Sequence, residues 1–435
     1  MNPRKIAKKL IPKPLFEVIE PYGHLVEAMG VQVINNFPAK GLNVIGVTGT
    51  NGKTTTCFLV HRMLHQAGYK VGLMSTVGYG VGMDIKPQIE HMTTVSAPLL
   101  AKRIKAMRAQ GIEWLVLETT SAGLAQNRVW GIPYSIAVMT NVTHEHLDYH
   151  KTFERYRDAK RKLFKITNNN NQGLKVGIIN AEDPSCEFFA KDIDKPLLYG
   201  IEKGDLRAIN LKSQPQGVSY RLNYQGVEYD INCHLPGTFN VYNSLAAVGV
   251  GISLGLTKEQ IEQGIAATLG VEGRMTTINQ GQDFSLIVDF AHTPDSFEKL
   301  FIDIKPVVKN KLIVMFGSAG RRDVAKREVQ GKLAGQYADL VIITEEDDRD
   351  VDGVQIMEQI ADGARSEGKQ EDKDLFLVHD RRQAIAKAIQ LAEAGDTVLL
   401  LGKGHEKTIE RADGAHRWNE IETAGKLLKE HLAER

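Results

Sequence analysis

Apolar runs and segments with helical spacing alternate along most of this chain. Between residues 41 and 270, the runs typical of buried strands are Val71–Ser75, Trp114–Glu118, Ser135–Thr140 and Lys175–Asn180. Helical spacing lies between several of them, as in residues 96–110, where Ser96 is a good start signal and Gly111 a stop signal. The alternation predicts a mainly parallel sheet covered by helices, with chemistry at the carboxyl ends of its strands.

A second alternating series begins after Gly273 and Arg274. Its predicted strands are Leu286–Asp289, Lys311–Phe316, Asp339–Thr344, Leu375–Val378 and Thr397–Leu401. Residues 218–235 change to a period of two, which predicts a small antiparallel hairpin. We therefore predict an α/β protein with three parts: a short helical extension (1–40), a P-loop-type central domain (41–272) and a Rossmann-like C-terminal domain (273–435).

One stretch of the central domain predicts a nucleotide site. The apolar run Val44–Val47 leads into a glycine-rich turn, and helical spacing follows it from Thr54 to Ala67. In this strand, loop and helix order, backbone N–H groups, a lysine and a hydroxyl can bind a triphosphate and Mg²⁺. Val47 replaces the first glycine of the usual pattern, and the alternative is a tight turn with a solvated lysine. The predicted ATP-binding residues here are Gly49, Thr50, Asn51, Gly52, Lys53, Thr54 and Thr55.

Composition narrows the class of protein. The 54 basic and 53 acidic residues nearly cancel, which argues against binding of nucleic acid through bulk charge. The three cysteines are far apart and lack the spacing of a zinc site or a disulfide framework. Since no apolar run is long enough to span a bilayer, we expect a cytoplasmic protein that acts on small molecules, as a monomer.

The first 40 residues differ from the rest. Their first 14 residues mix five basic residues with apolar ones, and a helix is predicted from Leu15 to Met29. A weak contact of residues 1–14 with a membrane surface, or with a partner, is one interpretation. The other, which the short length favours, is a helix packed on the next domain with a solvated charged face.

Three groups follow predicted strands of the central domain. Glu118 ends a strand, and its carboxylate would lie where a Mg²⁺ bound by Thr54 needs a second ligand. Histidines at 144, 146 and 150 can bind a metal or simply hold a loop. Lys160 lies in a charged helical segment that, by itself, is typical of a solvated face.

Five motifs in this order resemble the Mur ligases, across about nine-tenths of the chain. They are Thr48-Gly-Thr-Asn-Gly-Lys-Thr-Thr, Glu118 with Ser121 and Gly123-Leu124, Asn141 with His146-Leu-Asp-Tyr-His, Asp289-Phe-Ala-His-Thr-Pro-Asp, and Gly402-Lys-Gly-His-Glu406. Within the family the chain is most similar to the branch that adds the third amino acid to a UDP-N-acetylmuramoyl dipeptide. The resemblance implies an ATP-dependent amide ligase of peptidoglycan synthesis that works through an acyl phosphate.

The resemblance also implies roles for individual residues. Lys53, Glu118, His146 and Lys160 would be catalytic. Thr54 and Glu118 would bind one Mg²⁺, His146 a second, and Lys160 would carry CO₂ as a metal-binding carbamate. Further nucleotide contacts would be Asn240, Asn243, Arg274, Asp289 and His292. The muramoyl peptide would contact Thr93, Thr94, Ser121 and Arg128. The incoming amino acid would contact Arg322, Asp347, Arg349, Gly402 and Glu406.

The chain departs from the family pattern in three places. Only about 40 residues precede the P-loop, where the family usually has a uridine-binding domain, and Ala122 replaces a family histidine. The acceptor motif Asp-Asn-Pro-Arg reads Glu346-Asp-Asp-Arg349, whose added acidic residues favour a more cationic acceptor or are simply a charged loop.

We predict a ligase that adds meso-diaminopimelate or L-lysine to a muramoyl peptide. One alternative is a ligase resembling folylpolyglutamate synthase, or another cell-wall amide ligase, that acts on a substrate without UDP. An alternative of another class is a nucleotide-dependent binding switch without ligase activity. Glu118, His146 and Lys160 together argue against the switch, which needs no second metal site.

Overall fold

The computed structural model describes residues 13–90, 92–143, 145, 147–214 and 217–434. For residues 13–21, 147 and 148 it describes the secondary structure only. The chain divides into two compact units. The first comprises Met1–Leu211, Ser219–Asn232 and Val241–Ala267, and the second comprises Lys212–Val218, Cys233–Asn240 and Thr268–Arg435. In the described part of the chain, no helix is both long and apolar enough to cross a membrane.

The first unit is built on a nine-stranded sheet with the order β4-β3-β2-β5-β1-β6-β7-β8-β9. Its strands are β1 (Asn43–Thr48), β2 (Val71–Met74), β3 (Gly78–Val81), β4 (Asp84–Pro87), β5 (Trp114–Glu118), β6 (Tyr134–Met139), β7 (Val176–Asn180), β8 (Lys195–Gly200) and β9 (Leu206–Arg207). The strand β1 pairs in parallel with β5 and β6, which places the ends of all three at one edge of the sheet.

Helices cover both faces of this sheet, and its central strands are therefore almost fully buried. They are α1 (Lys13–Ile34), α2 (Lys53–Gln66), α3 (Ala97–Ala109), α4 (Ser121–Ala125), α5 (Leu147–His150), α6 (Phe153–Asn168), α7 (Cys186–Ala190), α8 (Phe239–Ser253) and α9 (Lys258–Ala266). A separate three-stranded sheet consists of β10 (Ile209–Gln214), β11 (Gly217–Tyr224) and β12 (Val227–Cys233).

The second unit has a six-stranded sheet with the order β13-β14-β18-β15-β16-β17, parallel except for β13. Its strands are β13 (Thr276–Ile278), β14 (Ser285–Asp289), β15 (Leu312–Phe316), β16 (Leu340–Ile343), β17 (Leu375–Leu377) and β18 (Thr397–Leu401), and β19 (Thr408–Arg411) pairs with β20 (Gly414–Arg417). Its helices are α10 (Pro294–Ile304), a 3₁₀ turn (Lys305–Val307), α11 (Ala325–Tyr337), α12 (Gly353–Ser366), α13 (Arg381–Leu391) and α14 (Glu420–Glu434). Hydrophobic cores lie on both faces of the sheet.

The predicted fold class, two mainly parallel α/β sheets, is confirmed. The predicted strands Trp114–Glu118 and Thr397–Leu401 agree with the structure at both ends. The predicted hairpin at 218–235 is part of a three-stranded sheet, because the exposed strand Ile209–Gln214 also joins it. The hairpin at 78–87 was not predicted, since it is glycine-rich and exposed and so lacks an apolar pattern.

A buried ion pair holds α13 to the start of α14. Arg381 and Glu420 are both fully buried, with 2.6 Å between Nη2 of Arg381 and Oε1 of Glu420. Arg381 Nη2 also donates to the carbonyl oxygen of Leu401, and Trp418 Nε1 donates to Glu420 Oε2. The pair thus links the end of the central strand β18 to two helices.

We expect Arg381→Ala to destabilise the second unit by about 3–5 kcal/mol, because a buried carboxylate would lose its partner. Arg382→Ala is the matched control, since Arg382 pairs at 3.7 Å with Glu430 in solvent and should cost at most about 1 kcal/mol. Hydrogen exchange of amides in 381–391 and 420–434 measures this unit separately from the first. Equal protection of these amides from exchange in the two variants would contradict the stabilising role of the Arg381–Glu420 ion pair.

Candidate active site

The loop after β1 is anchored to the end of β6. The backbone N–H of Thr50 donates to the carbonyl oxygen of Asn141 at 2.8 Å, and that of Asn51 donates to Asn141 Oδ1 at 2.9 Å. Thr140 Oγ1 and Asn141 Nδ2 both donate to the carbonyl oxygen of Asn51, at 2.6 and 3.1 Å. These contacts hold the loop in one conformation before any nucleotide binds.

Two glycines permit that conformation. Gly52 has φ of 82°, and a Cβ there would collide with the side chain of Asn243. A Cβ on Gly49 would collide with the hydroxyl of Thr140. Within the described residues, no side chain caps the start of α2 at Gly52. A helix start without a side-chain cap is suited to an anion such as a phosphate.

Glu118 lies against the first turn of α2. Its oxygens accept from Thr54 Oγ1 at 3.1 and 3.0 Å, and the Glu118 residue is only 1% exposed. The backbone N–H and the hydroxyl of Thr76 also donate to this carboxylate, each at 2.8 Å, and Thr76 Oγ1 can accept from Thr93 Oγ1 at 2.9 Å. The hydroxyl of Thr54 and a buried carboxylate are oxygen ligands of the kind that Mg²⁺ prefers.

Lys160, on α6, contacts the same loop from another side. Its Nζ donates to the carbonyl oxygen of Gly49 at 2.5 Å and lies 4.4 Å from the ring centre of Tyr156. Burial, and then the nearby charge of Lys53, lower the pKa of Lys160 well below its ordinary value. The charged sequence around Lys160 is typical of a solvated helix face, but Lys160 itself is only 1% exposed. That interpretation of the pattern is therefore wrong for this residue. A lysine with a lowered pKa has more of the neutral, nucleophilic amine.

Lys53 folds back on its own loop, where its Nζ donates to the carbonyl oxygen of Thr50 at 2.6 Å. Thr50 Oγ1 lies 3.0 Å from the hydroxyl of Tyr156, which links the loop to α6. His146, the predicted ligand of a second metal, lies outside the described residues. His150 is buried, and its Nε2 is 3.0 Å from Ser121 Oγ.

The residues predicted to contact the muramoyl peptide lie together beside Glu118. Thr94 Oγ1 donates to the carbonyl oxygen of Glu118 at 3.0 Å and accepts from the backbone N–H of Thr120 at 2.9 Å. Arg128 Nη1 donates to the carbonyl oxygen of Thr94 at 2.6 Å, and its Nε donates to Gln126 Oε1. Thr94 and Arg128 therefore help to shape the loops around the carboxylate.

In the second unit, the predicted nucleotide residues gather around Phe290. The guanidinium of Arg274 lies 4.4 Å above the Phe290 ring. Asp289 accepts the backbone N–H groups of Met275 and Ala291 at 2.7 Å each, and burial raises the pKa of this carboxyl. His292 Nδ1 lies 2.8 Å from the carbonyl oxygen of Phe290; because a carbonyl only accepts, the bond needs the proton on Nδ1.

Two further predicted nucleotide residues, Asn240 and Asn243, lie on α8 and are buried. Asn240 Nδ2 donates to the carbonyl oxygen of Pro236 at 2.7 Å. Asn243 Oδ1 accepts from Thr56 Oγ1 at 3.4 Å, so Asn243 lies beside α2. Thr55 is buried in the first turn of α2.

A buried cation organises the predicted acceptor residues. Lys403 is fully buried and its Nζ contacts Asp347 Oδ1 at 2.8 Å and Glu406 Oε2 at 2.5 Å. Burial raises the pKa of Glu406, although Lys403 opposes the change. Gly402, with φ of 99°, allows Glu346 to approach: a Cβ there would lie 2.8 Å from Glu346 Oε2.

Arg349 and Arg322 have different surroundings. Arg349 Nε donates to Glu410 Oε2 at 2.6 Å, and its Nη1 donates to the carbonyl oxygen of Gly320 at 2.7 Å. Arg322 is exposed in the loop between β15 and α11.

Glu345, Asp348 and His379 lie close enough together to suggest a metal site, with candidate ligand atoms within 4.8 Å of one another. Both oxygens of Glu345 accept from Arg411, however, and Asp348 Oδ2 lies 2.9 Å from His379 Nε2. The three residues are therefore accounted for by an ion-pair network.

Sequence reasoning missed three residues of these sites. Thr76 holds Glu118 from a loop and has no pattern of its own. Lys403 lies within a recognised motif, but its burial could not be read from the motif. Glu346 is 7% exposed, and its Oε2 has no hydrogen-bond partner among the described residues. The sequence did offer one indication for Glu346, which is that it directly precedes the predicted acceptor residue Asp347.

The fold and the loop of residues 49–54 define an α/β enzyme that uses a nucleotide. Comparison with known families gives a match to the Mur ligase middle domain over residues 47–251 and to the glutamate ligase domain of Mur ligases over residues 273–404. The chain belongs to the Mur ligase family, the ATP-dependent, ADP-forming ligases of peptidoglycan synthesis.

Individual relatives agree with this assignment. The UDP-N-acetylmuramyl-tripeptide synthetase of Roseiflexus sp. (strain RS-1) is 38% identical, over 97% of this chain and 84% of the relative. The UDP-N-acetylmuramoyl-L-alanyl-D-glutamate–2,6-diaminopimelate ligase 1 of Clostridium acetobutylicum is 35% identical, over 98% and 86%. A solved structure of a UDP-N-acetylmuramoyl-L-alanyl-D-glutamate–2,6-diaminopimelate ligase has a TM-score of 0.63 and 30% sequence identity to this chain. The match covers 91% of this chain and 80% of that one.

The fold is shared more widely. The folylpolyglutamate synthase of Mycobacterium tuberculosis, solved with ADP and AMPPCP, has a TM-score of 0.71 but only 16% identity, over 87% of this chain and 92% of that one. At that identity the likeness concerns the fold alone.

We expect Lys160→Met to stabilise the protein at neutral pH, in buffer free of Mg²⁺ and bicarbonate, while it abolishes activity. A lysine whose folded pKa is lowered opposes folding at pH values below that pKa, and the penalty disappears as the pH rises towards the pKa of the unfolded chain. The stability difference between Lys160→Met and wild type should therefore shrink with rising pH. Urea unfolding at several pH values measures it, and a variant that is less stable at neutral pH would contradict the prediction.

Proposed function

We propose that this chain joins the free carboxylate of a UDP-N-acetylmuramoyl dipeptide to the amino group of meso-diaminopimelate or L-lysine, in the cytoplasm. The observation that carries the proposal is the convergence on one loop, residues 49–54, of the Glu118 carboxylate and the Lys160 amine. A nucleotide switch has no need of both groups. The relatives that bear tripeptide synthetase and diaminopimelate ligase names support the choice of substrates.

The reaction has two steps on this proposal. The peptide carboxylate attacks the γ-phosphorus of ATP, which gives an acyl phosphate and ADP. The amine then attacks the acyl carbon, loses a proton, and the tetrahedral intermediate expels phosphate to leave the amide. Negative charge accumulates in both steps, and Lys53 and the start of α2 would supply preorganised positive charge.

Two Mg²⁺ ions are part of the proposal. Thr54 and Glu118 would hold the first, which fits the oxygen atoms that the structure brings together there. His146 and Lys160 would serve the second. Mg²⁺ bound there would neutralise phosphate charge. Thr140 and Asn141 would fix the loop, and the loop would orient the phosphates. The burial of Glu118 would exclude water from its carboxylate.

Lys160 would serve as a carbamate. Its neutral amine would attack CO₂, and loss of one proton would leave a carboxylate-like group in place of the ammonium. The burial of Nζ and the lowered pKa support this chemistry, because they increase the fraction of neutral amine. Glu145 lies near enough to favour the charged form of the lysine, so carbamate formation competes with protonation.

Substrates would be divided between a central domain, residues 41–272, and a C-terminal domain, residues 273–435. Asn240, Asn243, Arg274, Asp289 and His292 would contact the nucleotide, and Thr93, Thr94, Ser121 and Arg128 would contact the muramoyl peptide. Arg322 and Arg349 would bind the distal carboxylate of the acceptor, and Asp347, Gly402 and Glu406 its distal ammonium group. The proposal takes the chain as a monomer and residues 1–40 as an extension, with residues 1–14 in weak contact with a membrane surface.

A ligase acting on a substrate without UDP is the second candidate. The observation in its favour is that Ala122 stands where the family pattern has a histidine. The likeness to folylpolyglutamate synthase concerns the fold, so it supports no particular acyl substrate.

The test is phosphate release from ATP across a panel of acyl substrates and amino acids, with product mass measured in parallel. The proposal predicts release only when UDP-muramoyl dipeptide and diaminopimelate or lysine are present together. Equal turnover of the muramoyl dipeptide without UDP would favour the second candidate. ATP hydrolysis or binding with no amide product in any combination would favour a switch.

Lys160→Ala should lower amide formation about 100-fold or more, because a group that stabilises developing charge is lost. Short carboxylic acids should restore part of the activity by supplying a carboxylate in the vacated space. Lys162→Ala is the control, since Lys162 is exposed on the same helix. Full activity of untreated Lys160→Ala would remove the carbamate from the mechanism.

Arg349→Ala should raise the KM for the amino acid at least about tenfold and leave the KM for ATP unchanged, because a bidentate carboxylate contact would be lost. Arg321→Ala is the matched control, since Arg321 pairs with Asp350 in solvent. Steady-state kinetics distinguish the two variants. An unchanged KM for the amino acid in Arg349→Ala would place the acceptor site elsewhere.

A further inference from the structure

The helix α1 buries two polar side chains against the protein and leaves several large apolar side chains in solvent. Its inward face contains His24, Ala28 and Gln32, all less than 9% exposed. Gln32 Nε2 donates to the carbonyl oxygen of Trp130 at 3.0 Å, which fixes the rotation of the helix. A surface helix normally has the opposite arrangement, with the apolar face inward.

The outward face is a continuous apolar stripe. Its residues and their exposed fractions are Tyr22 (69%), Val26 (69%), Met29 (42%), Val33 (65%) and Ile34 (84%). Positions 22, 26, 29 and 33 follow helical spacing, so they lie along one side of α1. Single exposed apolar residues are ordinary, but a contiguous stripe of them marks an interaction surface. We call these five residues the α1 stripe.

The helix beside α1 is basic. The neighbouring helix α3, which packs against α1, has no acidic residue, and its exposed cations include Lys102, Lys105 and Arg108. Arg108 Nη1 donates to the carbonyl oxygens of Pro38 and Lys40, which places it just beyond the end of α1.

The sequence ahead of the α1 stripe is also basic. Residues 1–21 contain five basic residues and two acidic ones, Glu17 and Glu20. Glu27 is the one acidic residue between positions 22 and 37. An apolar helix face bordered by cations combines the two features that bind a protein to an anionic membrane surface.

We propose that the α1 stripe docks on a bilayer surface that contains anionic phospholipid. The apolar side chains would enter the interface between headgroups and acyl chains, and the cations of α3 would meet the phosphates. A second copy of this chain is a poorer occupant, because an isologous pairing through the stripe would bring the same basic surfaces together. The inference does not depend on the proposed substrates.

The experiment is flotation of the full-length chain with vesicles of phosphatidylcholine, with or without phosphatidylglycerol. We expect binding to the vesicles that contain phosphatidylglycerol, at least about tenfold weaker binding without it, and weaker binding as salt rises. The double variant Val26→Asp, Val33→Asp should reduce binding more than about tenfold, since two apolar side chains become charged. Lys102→Glu with Lys105→Glu tests the charge contribution in the same way.

The control is Val329→Asp with Val354→Asp, two exposed positions on helices of the second unit, which should bind as wild type does. Circular dichroism and thermal unfolding should be the same for all variants, which verifies that they are folded. The proposal is overturned if folded wild type does not float with anionic vesicles, or if the α1 stripe variant floats equally well. It is also overturned if light scattering shows a dimer that the stripe variant dissociates, because the stripe would then bind a second copy.

Discussion

The loop of residues 49–54 is held by hydrogen bonds from Thr140 and Asn141, and the chemistry proposed for the first unit depends on this. Side chains from the end of β6 accept and donate hydrogen bonds along the loop, and Gly49 and Gly52 let those side chains come close. The central β1 strand brings the loop to the same sheet edge as Glu118. An enzyme that stabilises charge as it develops gains most from groups that need no rearrangement.

The second unit handles charge differently. The region of the predicted acceptor residues concentrates Glu346, Asp347 and Glu406, and the buried Lys403 neutralises part of this charge. Breaking such a buried pair is strongly unfavourable, so Lys403 fixes the directions of Asp347 and Glu406. Glu346 Oε2 has no such partner among the described residues.

Much of this architecture was predictable because the central strands are buried on both faces. Two examples are the apolar runs with clear ends at Trp114–Glu118 and Thr397–Leu401. Such a run can be predicted as a strand without knowing which other strands pair with it. The hairpin at 78–87 and the hydrogen bonds of Thr76 arise from tertiary contacts of exposed or polar segments, which leave no periodic signal. Lys160 shows the same limit, since its charged neighbours conceal that this one side chain is buried.

Transfer of an oxygen isotope tests the central claim most directly. If the peptide carboxylate is labelled with ¹⁸O and ATP is unlabelled, attack on the γ-phosphorus must move one labelled oxygen into the phosphate that the amine later expels. The account predicts one ¹⁸O in each phosphate released per amide formed. Unlabelled phosphate in a reaction that still forms the amide would contradict an acyl phosphate intermediate.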